Sequence, residues 1–262
     1  MQNTDTELPQ VIPTSRGPVT VLTLSSPGRK NAISTQMRTE LLEQVTALHA
    51  DTSVRAIVLT GADGDFSAGG DITEMTSDQK VASDRLQILH DAVRLLISGP
   101  KPVIAAVEGA AFGAGLSLAA ACDVVVAGEG ARFGAAFGKV GFVADCGLLW
   151  TLPMRVRPGV ARDILFSARS IQTDEALALG IVDEVVPQGG AVDAAVARAE
   201  RYAAVAPLAI AETKALLGAA PQSLDDLLEA EKAAQLRLAL TEDHAEARKA
   251  FLEKRQPDFK GR

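Results

Sequence analysis

The chain has 262 residues, of which 47% are hydrophobic and 23% charged, and its formal net charge is −7. This length and balance are typical of a globular protein with one sizeable core. The negative charge disfavours nucleic-acid binding, because phosphate groups attract a positive surface. The sequence also lacks the run of about 18 apolar residues that predicts a membrane-spanning helix. We therefore expect neither a nucleic-acid nor a membrane partner.

Cysteine and histidine are used sparsely. Cys122 and Cys146 lie in apolar surroundings, which favours reduced thiols over a disulfide. The three histidines are scattered along the chain, and no spacing typical of a metal site occurs. The polar N-terminal stretch has no apolar segment of the kind found in signal peptides. These features predict a cytoplasmic protein without a bound metal.

In chain order, strand and helix patterns alternate. After a loose tail over 1–9, short runs rich in Val, Leu and Ile between turn residues predict strands at 18–26, 54–61, 102–109, 124–128 and 181–187. Helices are predicted at 35–50, with Ser34 as the N-cap, at 85–98, and in most of the chain from about 147 onward. Alternating strands and helices followed by helices predict an α/β core over 10–200 and a helical module over 201–262.

Two glycine-rich loops precede helices, "DFSAGGDI" (65–72) and "GAAFGAGLS" (109–117). Small residues let a ligand approach the backbone, and the first N–H groups of a helix lack partners. Two such N–H groups converging on one carbonyl oxygen would form an oxyanion hole. The alternative is that the glycines only permit turns and close packing. The second loop does not match G-x-G-x-x-G, which argues against a nicotinamide or flavin site.

With both loops in this order, the sequence resembles the crotonase family of enoyl-CoA hydratases and isomerases. The similar stretches are "SSPGRKNAIS", "GADGDFSAGGDI", "KPVIAAVEGAAFGAGLSLAAACD", "ARFGAAFGKVG" and the terminal "FLEKRQPDFKGR". The resemblance implies a superhelix of ββα units with a C-terminal helical trimerisation module. It also implies a homotrimer or homohexamer that acts on an acyl-CoA thioester, with no separate cofactor.

The same resemblance assigns site residues. The N–H groups of Gly70 and Ala114 would form the oxyanion hole for the thioester oxygen. Coenzyme A would contact Lys30, Ala32, Ser67, Ala68 and Ile72, and also Phe251 and Lys254 from a neighbouring subunit. For Lys30 and Lys254, the alternative is an ordinary solvated surface lysine.

Ser117 and Phe137 stand where the family's hydratases carry their two catalytic glutamates, and neither can act as a carboxylate, which argues against a standard hydratase mechanism. The remaining acid in this region is Asp145, and its surroundings resemble the ring-epoxide acyl-CoA isomerase of phenylacetate degradation and the Δ3,Δ2-enoyl-CoA isomerases. In such enzymes one aspartate moves a proton while an oxyanion hole holds the charge. The predicted acyl pocket is apolar and consists of Phe137, Phe142, Val143 and Trp150.

Several alternatives stay open at this point. Asp145 precedes a helical stretch, so it could cap that helix through its side chain. His90 and Ser117 are left outside the catalytic set. The first hypothesis is an acyl-CoA isomerase; a hydratase-like or hydrolytic enzyme using Asp145 is the second. The third is a catalytically silent acyl-CoA-binding paralogue, because fold does not guarantee activity.

Overall fold

The computed structural model of the protein describes residues 8–219 and 223–262, so the predicted tail over 1–9 lies almost wholly outside the described residues. The strands are β1 (Gln10–Arg16), β2 (Val19–Ser25), β3 (Ala56–Gly61), β4 (Val103–Val107), β5 (Ala110–Phe112), β6 (Val124–Gly128), β7 (Arg132–Gly134), β8 (Ile171–Gln172) and β9 (Glu184–Val186). The helices are α1 (Thr35–Ala50), α2 (Gln79–Ser98), α3 (Ala114–Ala121), α4 (Leu148–Arg155), α5 (Pro158–Ser167), α6 (Thr173–Leu179), α7 (Ala191–Ala203), α8 (Pro207–Gly218), α9 (Leu224–Leu238) and α10 (Glu242–Glu253). Two 3₁₀ turns cover Ile72–Glu74 and Ala136–Val140.

The main sheet has six strands in the order β1-β2-β3-β4-β6-β9. β1 pairs antiparallel with β2, and the other neighbours are parallel. A smaller sheet has the order β5-β7-β8. Because β5 follows β4 directly, the chain passes from one sheet to the other at the start of the second glycine-rich loop, which contains β5. This crossing brings that loop beside the first one.

The core lies on both faces of the main sheet. Ile57, Leu59 and Ala105 face the larger apolar cluster, which includes the buried residues of α1 to α3. The alternate residues Val58 and Ile104 face the buried alanines of α7. Successive strand residues point to opposite faces, so a strand that is covered on both sides is apolar throughout. This coverage explains the continuous apolar runs in the sequence.

The five predicted strands are confirmed as β2, β3, β4, β6 and β9, and the predicted cap of α1 is confirmed as well. The Ser34 side chain accepts a hydrogen bond from the Met37 N–H over 3.2 Å. β1 was not predicted, because it contains Pro13 and has mostly exposed side chains. Proline is tolerated there because β1 is an edge strand.

The helical C-terminal part begins at α8. The predicted boundary after residue 200 lies inside α7, which packs on the sheet. On α8, the buried Lys214 ammonium bonds the Asp123 carboxylate over 2.6 Å and the Lys101 carbonyl over 2.9 Å. These contacts fasten the helical part to the core. Within the described residues, every helix is too short or too polar to cross a membrane.

Candidate active site

Both glycine-rich loops open onto one cavity of about 330 Å³. Its walls come from residues 68–72 of the first loop, Gly113 and Ala114 of the second, the N-terminal half of α2, and the segment from Ala136 to Asp145. Larger cavities lie elsewhere among the described residues. Two of them, of about 670 and 760 Å³, border α8, a third, of about 480 Å³, borders β1, and none of the three includes either loop. The smaller cavity is the candidate site because it combines unpartnered backbone donors with a carboxylate.

The first loop is held in an extended path that leaves one N–H unused. The Ile33 N–H donates to the Gly69 carbonyl over 2.7 Å, and the Asp71 N–H donates to the Ile33 carbonyl over 3.2 Å. Gly70 lies between these two bonds, and within the described part of the chain its N–H has no partner. Gly69 has φ +103°, and a Cβ there would lie 2.8 Å from the Phe112 carbonyl oxygen. Glycine is therefore required for the two loops to meet.

The second loop turns sharply at Gly113 into α3. Gly113 has φ +52° and donates to the Gly134 carbonyl over 2.9 Å. Ala114 is the first residue of α3, so its N–H has no partner inside the helix. No residue that the structure describes accepts a hydrogen bond from it. Ala114 as a whole is buried, with 5% of its surface exposed, so alanine fits at this position.

The two loops pack directly against each other. A Cβ on Gly69 would lie 3.5 Å from the Ala114 nitrogen, and one on Gly115 would lie 2.5 Å from the Ser67 carbonyl oxygen. The unpartnered N–H groups of Gly70 and Ala114 thus belong to adjacent backbone segments that line the same cavity. The start of α3 adds a partial positive charge there. The arrangement is suited to binding a carbonyl oxygen that becomes negative.

Asp145 lines the same cavity and does not cap the helix that follows it. The N-cap of α4 is Gly147, without any side-chain cap bond, and the Leu148 N–H bonds the backbone carbonyl of Asp145 over 3.1 Å. The alternative that the Asp145 side chain caps α4 is therefore wrong. Cys146 and Gly147 have φ +52° and +75°, so two consecutive left-handed residues separate Asp145 from the helix.

Two polar side chains hold Asp145 in place. The Cys146 thiol donates to Oδ1 of Asp145 over 2.9 Å. The Ser117 hydroxyl lies 3.1 Å from the Asp145 backbone carbonyl and 3.2 Å from the Gly113 carbonyl, and it can donate to either. Oδ2 accepts no hydrogen bond from the described residues and is available to a ligand. Sequence reasoning missed the thiol contact, and no pattern in the sequence points to it.

The thiol remains protonated. Burial, followed by the charge of Asp145 and the hydrogen bond to it, raises the pKa of Cys146 above the usual range of a thiol. Burial also raises the pKa of Cys122 to about 12. Both cysteines are free. Among the described residues, no group of three or more His, Cys, Asp and Glu side chains could hold a metal ion.

The predicted acyl-pocket residues divide into two sets. Phe137, Phe142 and Val143 line the cavity, but Phe142 and Val143 are 57% and 73% exposed, so one wall is open to water. Trp150 does not line it, which corrects its predicted place. Its ring borders the two cavities beside α8 together with Met154 and Leu217, because that face of α4 points toward α8.

The predicted coenzyme A residues also divide by location. Ala68 and Ile72 line the cavity. The buried Ser67 hydroxyl donates to the Asn31 carbonyl over 2.8 Å, and the Ala68 N–H donates to the Lys30 carbonyl over 2.8 Å. These bonds join the loop to the segment that contains Lys30 and Ala32. The exposed Lys30 ammonium lies 3.3 Å from the Asp65 carboxylate.

The remaining two predicted residues, Phe251 and Lys254, lie at the end of α10 and do not line the cavity. Both are exposed. Their contact with coenzyme A from a neighbouring subunit stays a prediction. The structure also adds two cavity-lining side chains that the sequence did not single out, Arg38 on α1 and Arg85 on α2.

Comparisons with known proteins agree on one family. The family described as enoyl-CoA hydratase/isomerase matches residues 14–262. The chain is 35% identical to the 2,3-dehydroadipyl-CoA hydratase of Escherichia coli K12, covering 93% of this chain and 96% of that protein. It is 32% identical to the 1,2-epoxyphenylacetyl-CoA isomerase of the same organism, with coverage of 93% and 95%.

A solved structure gives the same result for the fold. The crystal structure of an enoyl-CoA hydratase from Polaromonas sp. JS666 is similar with a TM-score of 0.91 at 33% sequence identity. The similarity covers 95% of this chain and 99% of that one. The predicted crotonase-like fold is confirmed.

Proposed function

Because the chain belongs to the enoyl-CoA hydratase/isomerase family, we propose that it is an acyl-CoA isomerase with one catalytic carboxylate. The observation that carries the proposal is Asp145, a carboxylate with an unpartnered oxygen in the cavity that holds the N–H groups of Gly70 and Ala114. The relatives' names include both hydratases and an isomerase, so the residues of this chain must decide between them.

The other carboxylates of the cavity are already engaged. Asp71 bonds the Arg29 guanidinium over 2.6 Å and also accepts from Thr73. One oxygen of Glu74 accepts from the Thr35 N–H over 2.7 Å and from its hydroxyl over 2.6 Å. Among the described residues, the Asp145 side chain accepts a single hydrogen bond, from the Cys146 thiol, and forms no ion pair. It is therefore the best candidate for a general base among the acids that face the ligand.

One carboxylate is enough for a double-bond shift. In a 3-enoyl-CoA, Asp145 would remove a proton from C2, and the electron pair would move onto the thioester oxygen as an enolate. The Gly70 and Ala114 N–H groups would stabilise that negative oxygen. The protonated Asp145 would then return the proton to C4, which leaves a double bond between C2 and C3. Atoms and charge balance without water or any other reactant.

Hydration is the second candidate, and a specific observation supports it. The exposed Phe142 and Val143 leave one wall of the cavity open, so water can reach Asp145. Ser117 and Phe137 nevertheless supply no second carboxylate at the positions where the family's hydratases have them. A hydratase-like reaction would have to activate water and deliver a proton with Asp145 alone. We therefore rank isomerisation first.

The test is to incubate the protein separately with 3-hexenoyl-CoA and 2-hexenoyl-CoA. We expect the first to be converted to the second and very little 3-hydroxyhexanoyl-CoA to form. Rapid formation of the 3-hydroxy product from 2-hexenoyl-CoA would favour the hydratase instead. Binding of both thioesters without turnover, and without solvent deuterium entering at C2, would identify a silent acyl-CoA-binding protein.

A further inference from the structure

Arg38 lines the cavity, and its guanidinium has no hydrogen-bond or ion-pair partner in the part of the chain that the structure describes. Among the described residues, four arginines have a buried Nε that lacks a hydrogen-bond partner: Arg38, Arg55, Arg85 and Arg198. In three of them another guanidinium nitrogen donates a hydrogen bond. Arg55 and Arg85 donate to backbone carbonyls, and Arg198 donates to the Glu184 carboxylate. Within residues 8–219 and 223–262, no side-chain nitrogen of Arg38 bonds any group of the protein.

Arg38 lies within reach of an acyl group that is bound at the proposed oxyanion donors. It lies one turn into α1 and lines the cavity together with Arg85 of α2. Its Nη2 atom would be 3.8 Å from a Cβ built on Gly70, whose N–H is one of the two proposed oxyanion donors. The guanidinium is thus adjacent to the loop that would bind the thioester.

The acids of the cavity do not neutralise these two arginines. Asp71 is paired with Arg29, and Glu74 accepts hydrogen bonds from Thr35. Within the described part of the chain, neither Arg38 nor Arg85 has a carboxylate oxygen within 4.0 Å. A half-buried guanidinium with an unpartnered Nε is unfavourable unless an acceptor satisfies it. A ligand in this cavity would be the source of that acceptor.

We propose that Arg38, assisted by Arg85, binds a carboxylate on the acyl group, so that the substrate is the coenzyme A monothioester of an unsaturated dicarboxylic acid. This inference rests on the proposed function, in which the cavity holds the acyl group. A planar guanidinium matches a carboxylate through two parallel N–H···O bonds, which a hydroxyl or a methyl terminus cannot form. Leu86, Leu89 and Phe137 line the same cavity and supply an apolar wall for the methylene groups between the two ends.

Binding of saturated analogues tests the inference independently of catalysis. Adipyl-CoA and hexanoyl-CoA have the same chain length, and only the first ends in a carboxylate. We expect adipyl-CoA to bind the wild-type protein on the order of 10-fold to 100-fold more tightly by calorimetry, as hydrogen bonds to charged groups permit. Arg38→Met should remove most of this preference, and Arg38→Lys should retain part of it, because lysine keeps the charge without the planar fork.

A matched control is Arg94→Met on α2. Arg94 is exposed, pairs with Asp91 and does not line the cavity, so the preference should be unchanged. Coenzyme A alone should bind wild type and Arg38→Met equally. Equal affinity of the wild-type protein for the two acyl analogues would overturn the inference. So would an Arg38→Met variant that loses affinity for coenzyme A itself or equally for both analogues. Absence of turnover with unimpaired selectivity would instead overturn the proposed function alone.

Discussion

The thiol of Cys146 donates a hydrogen bond over 2.9 Å to Oδ1 of its neighbour Asp145, the proposed proton-transfer group. Cys146 is fully buried and has a left-handed backbone conformation. The contact holds one oxygen of the carboxylate and leaves the other without a partner among the described residues. Because its raised pKa keeps the thiol protonated, it remains a donor at any pH at which the protein would act.

Replacing Cys146 tests whether this contact positions the base. We expect Cys146→Ala to lower kcat by about 10-fold with little change in KM, since one hydrogen bond to a charged group is lost. Cys146→Ser should restore part of kcat, because a hydroxyl can donate in its place. Cys122→Ala serves as the control, because it removes the other buried thiol, which donates to the Leu118 carbonyl and does not line the cavity. Full kcat in Cys146→Ala would refute the positioning role.

Asp145→Asn tests the base itself. The amide cannot accept the proton, so kcat for 3-hexenoyl-CoA should fall by about 10²- to 10⁴-fold, the range expected of a positioned acid or base. The dissociation constant for coenzyme A should stay within about 2-fold of that of the wild type, because Asp145 faces the acyl cavity. Asp91→Asn, on the exposed face of α2, is the matched control. An Asn variant with undiminished isomerase activity would rule out Asp145.

Ser117→Ala removes a hydroxyl within hydrogen-bond reach of both the Asp145 carbonyl and the Gly113 carbonyl. We expect the free energy of unfolding, measured in urea, to fall by about 1 kcal/mol. We also expect kcat to fall several-fold. Thr46→Ala on α1 is the control: it removes an exposed methyl group and a hydroxyl that bonds the carbonyl one turn earlier, as the Ser117 hydroxyl bonds Gly113. The loss of kcat should therefore appear in the Ser117 variant alone. Equal kcat in both variants would make Ser117 a structural residue only.

Gly69→Ala tests the contact between the two loops. The new methyl group would meet the Phe112 carbonyl oxygen at 2.8 Å, in addition to the cost of a positive φ. Gly64→Ala is the matched control, because Gly64 also has a positive φ, +76°, but a Cβ added there would have no neighbour within 4 Å. We expect Gly69→Ala to lose more stability and at least 10-fold more kcat/KM than Gly64→Ala, since the oxyanion donors would separate. Similar effects in the two variants would contradict the steric explanation.

His49 predicts a pH dependence of stability. Burial, reinforced by the charge of Lys214, lowers its pKa to about 4 from 6.5. The neutral ring can donate from Nε2 to the Leu95 carbonyl over 3.1 Å, while its buried Nδ1 has no partner among the described residues. Because the unfolded chain binds a proton more readily, stability should fall as the pH drops from 6.5 toward 4.

The full pKa shift of His49 corresponds to at most about 3 kcal/mol in the free energy of unfolding, and partial exposure of the ring makes the effect smaller. Urea unfolding between pH 7.5 and 5 measures the effect, and His49→Gln should flatten the curve in that interval. The matched control is His244→Gln, which replaces another histidine, located on α10. An unchanged pH slope in the His49 variant would assign the acid sensitivity to other groups.

The elements that the sequence predicts best are those with a simple burial pattern. β3 and β4 are covered on both faces and are therefore apolar throughout, whereas β1 contains Pro13 and exposes most of its side chains. Gly70, Ala114 and Asp145, which were selected from motifs, all line one cavity, and their roles in catalysis stay a prediction. Trp150 was misplaced, because an apolar residue near Asp145 in sequence can belong to either face of α4.

Arg38 and Cys146 could not have been identified in this way. An arginine among the polar residues of an amphipathic helix looks the same whether it faces solvent or a cavity. The thiol contact depends on two successive left-handed residues, and that conformation is stabilised by tertiary packing rather than by local propensity. Site residues of this kind become visible only once the chain is folded.

The reach of the Ser117 hydroxyl to both Gly113 and Asp145 has a mechanical consequence. One side chain couples the turn that presents an oxyanion donor to the backbone of the proposed base. If the exposed wall around Phe142 opens to admit a thioester, the base and that donor are expected to move as one body. The spacing between proton acceptor and oxyanion hole would then survive the opening, so the enzyme would not need to rebuild it in every turnover.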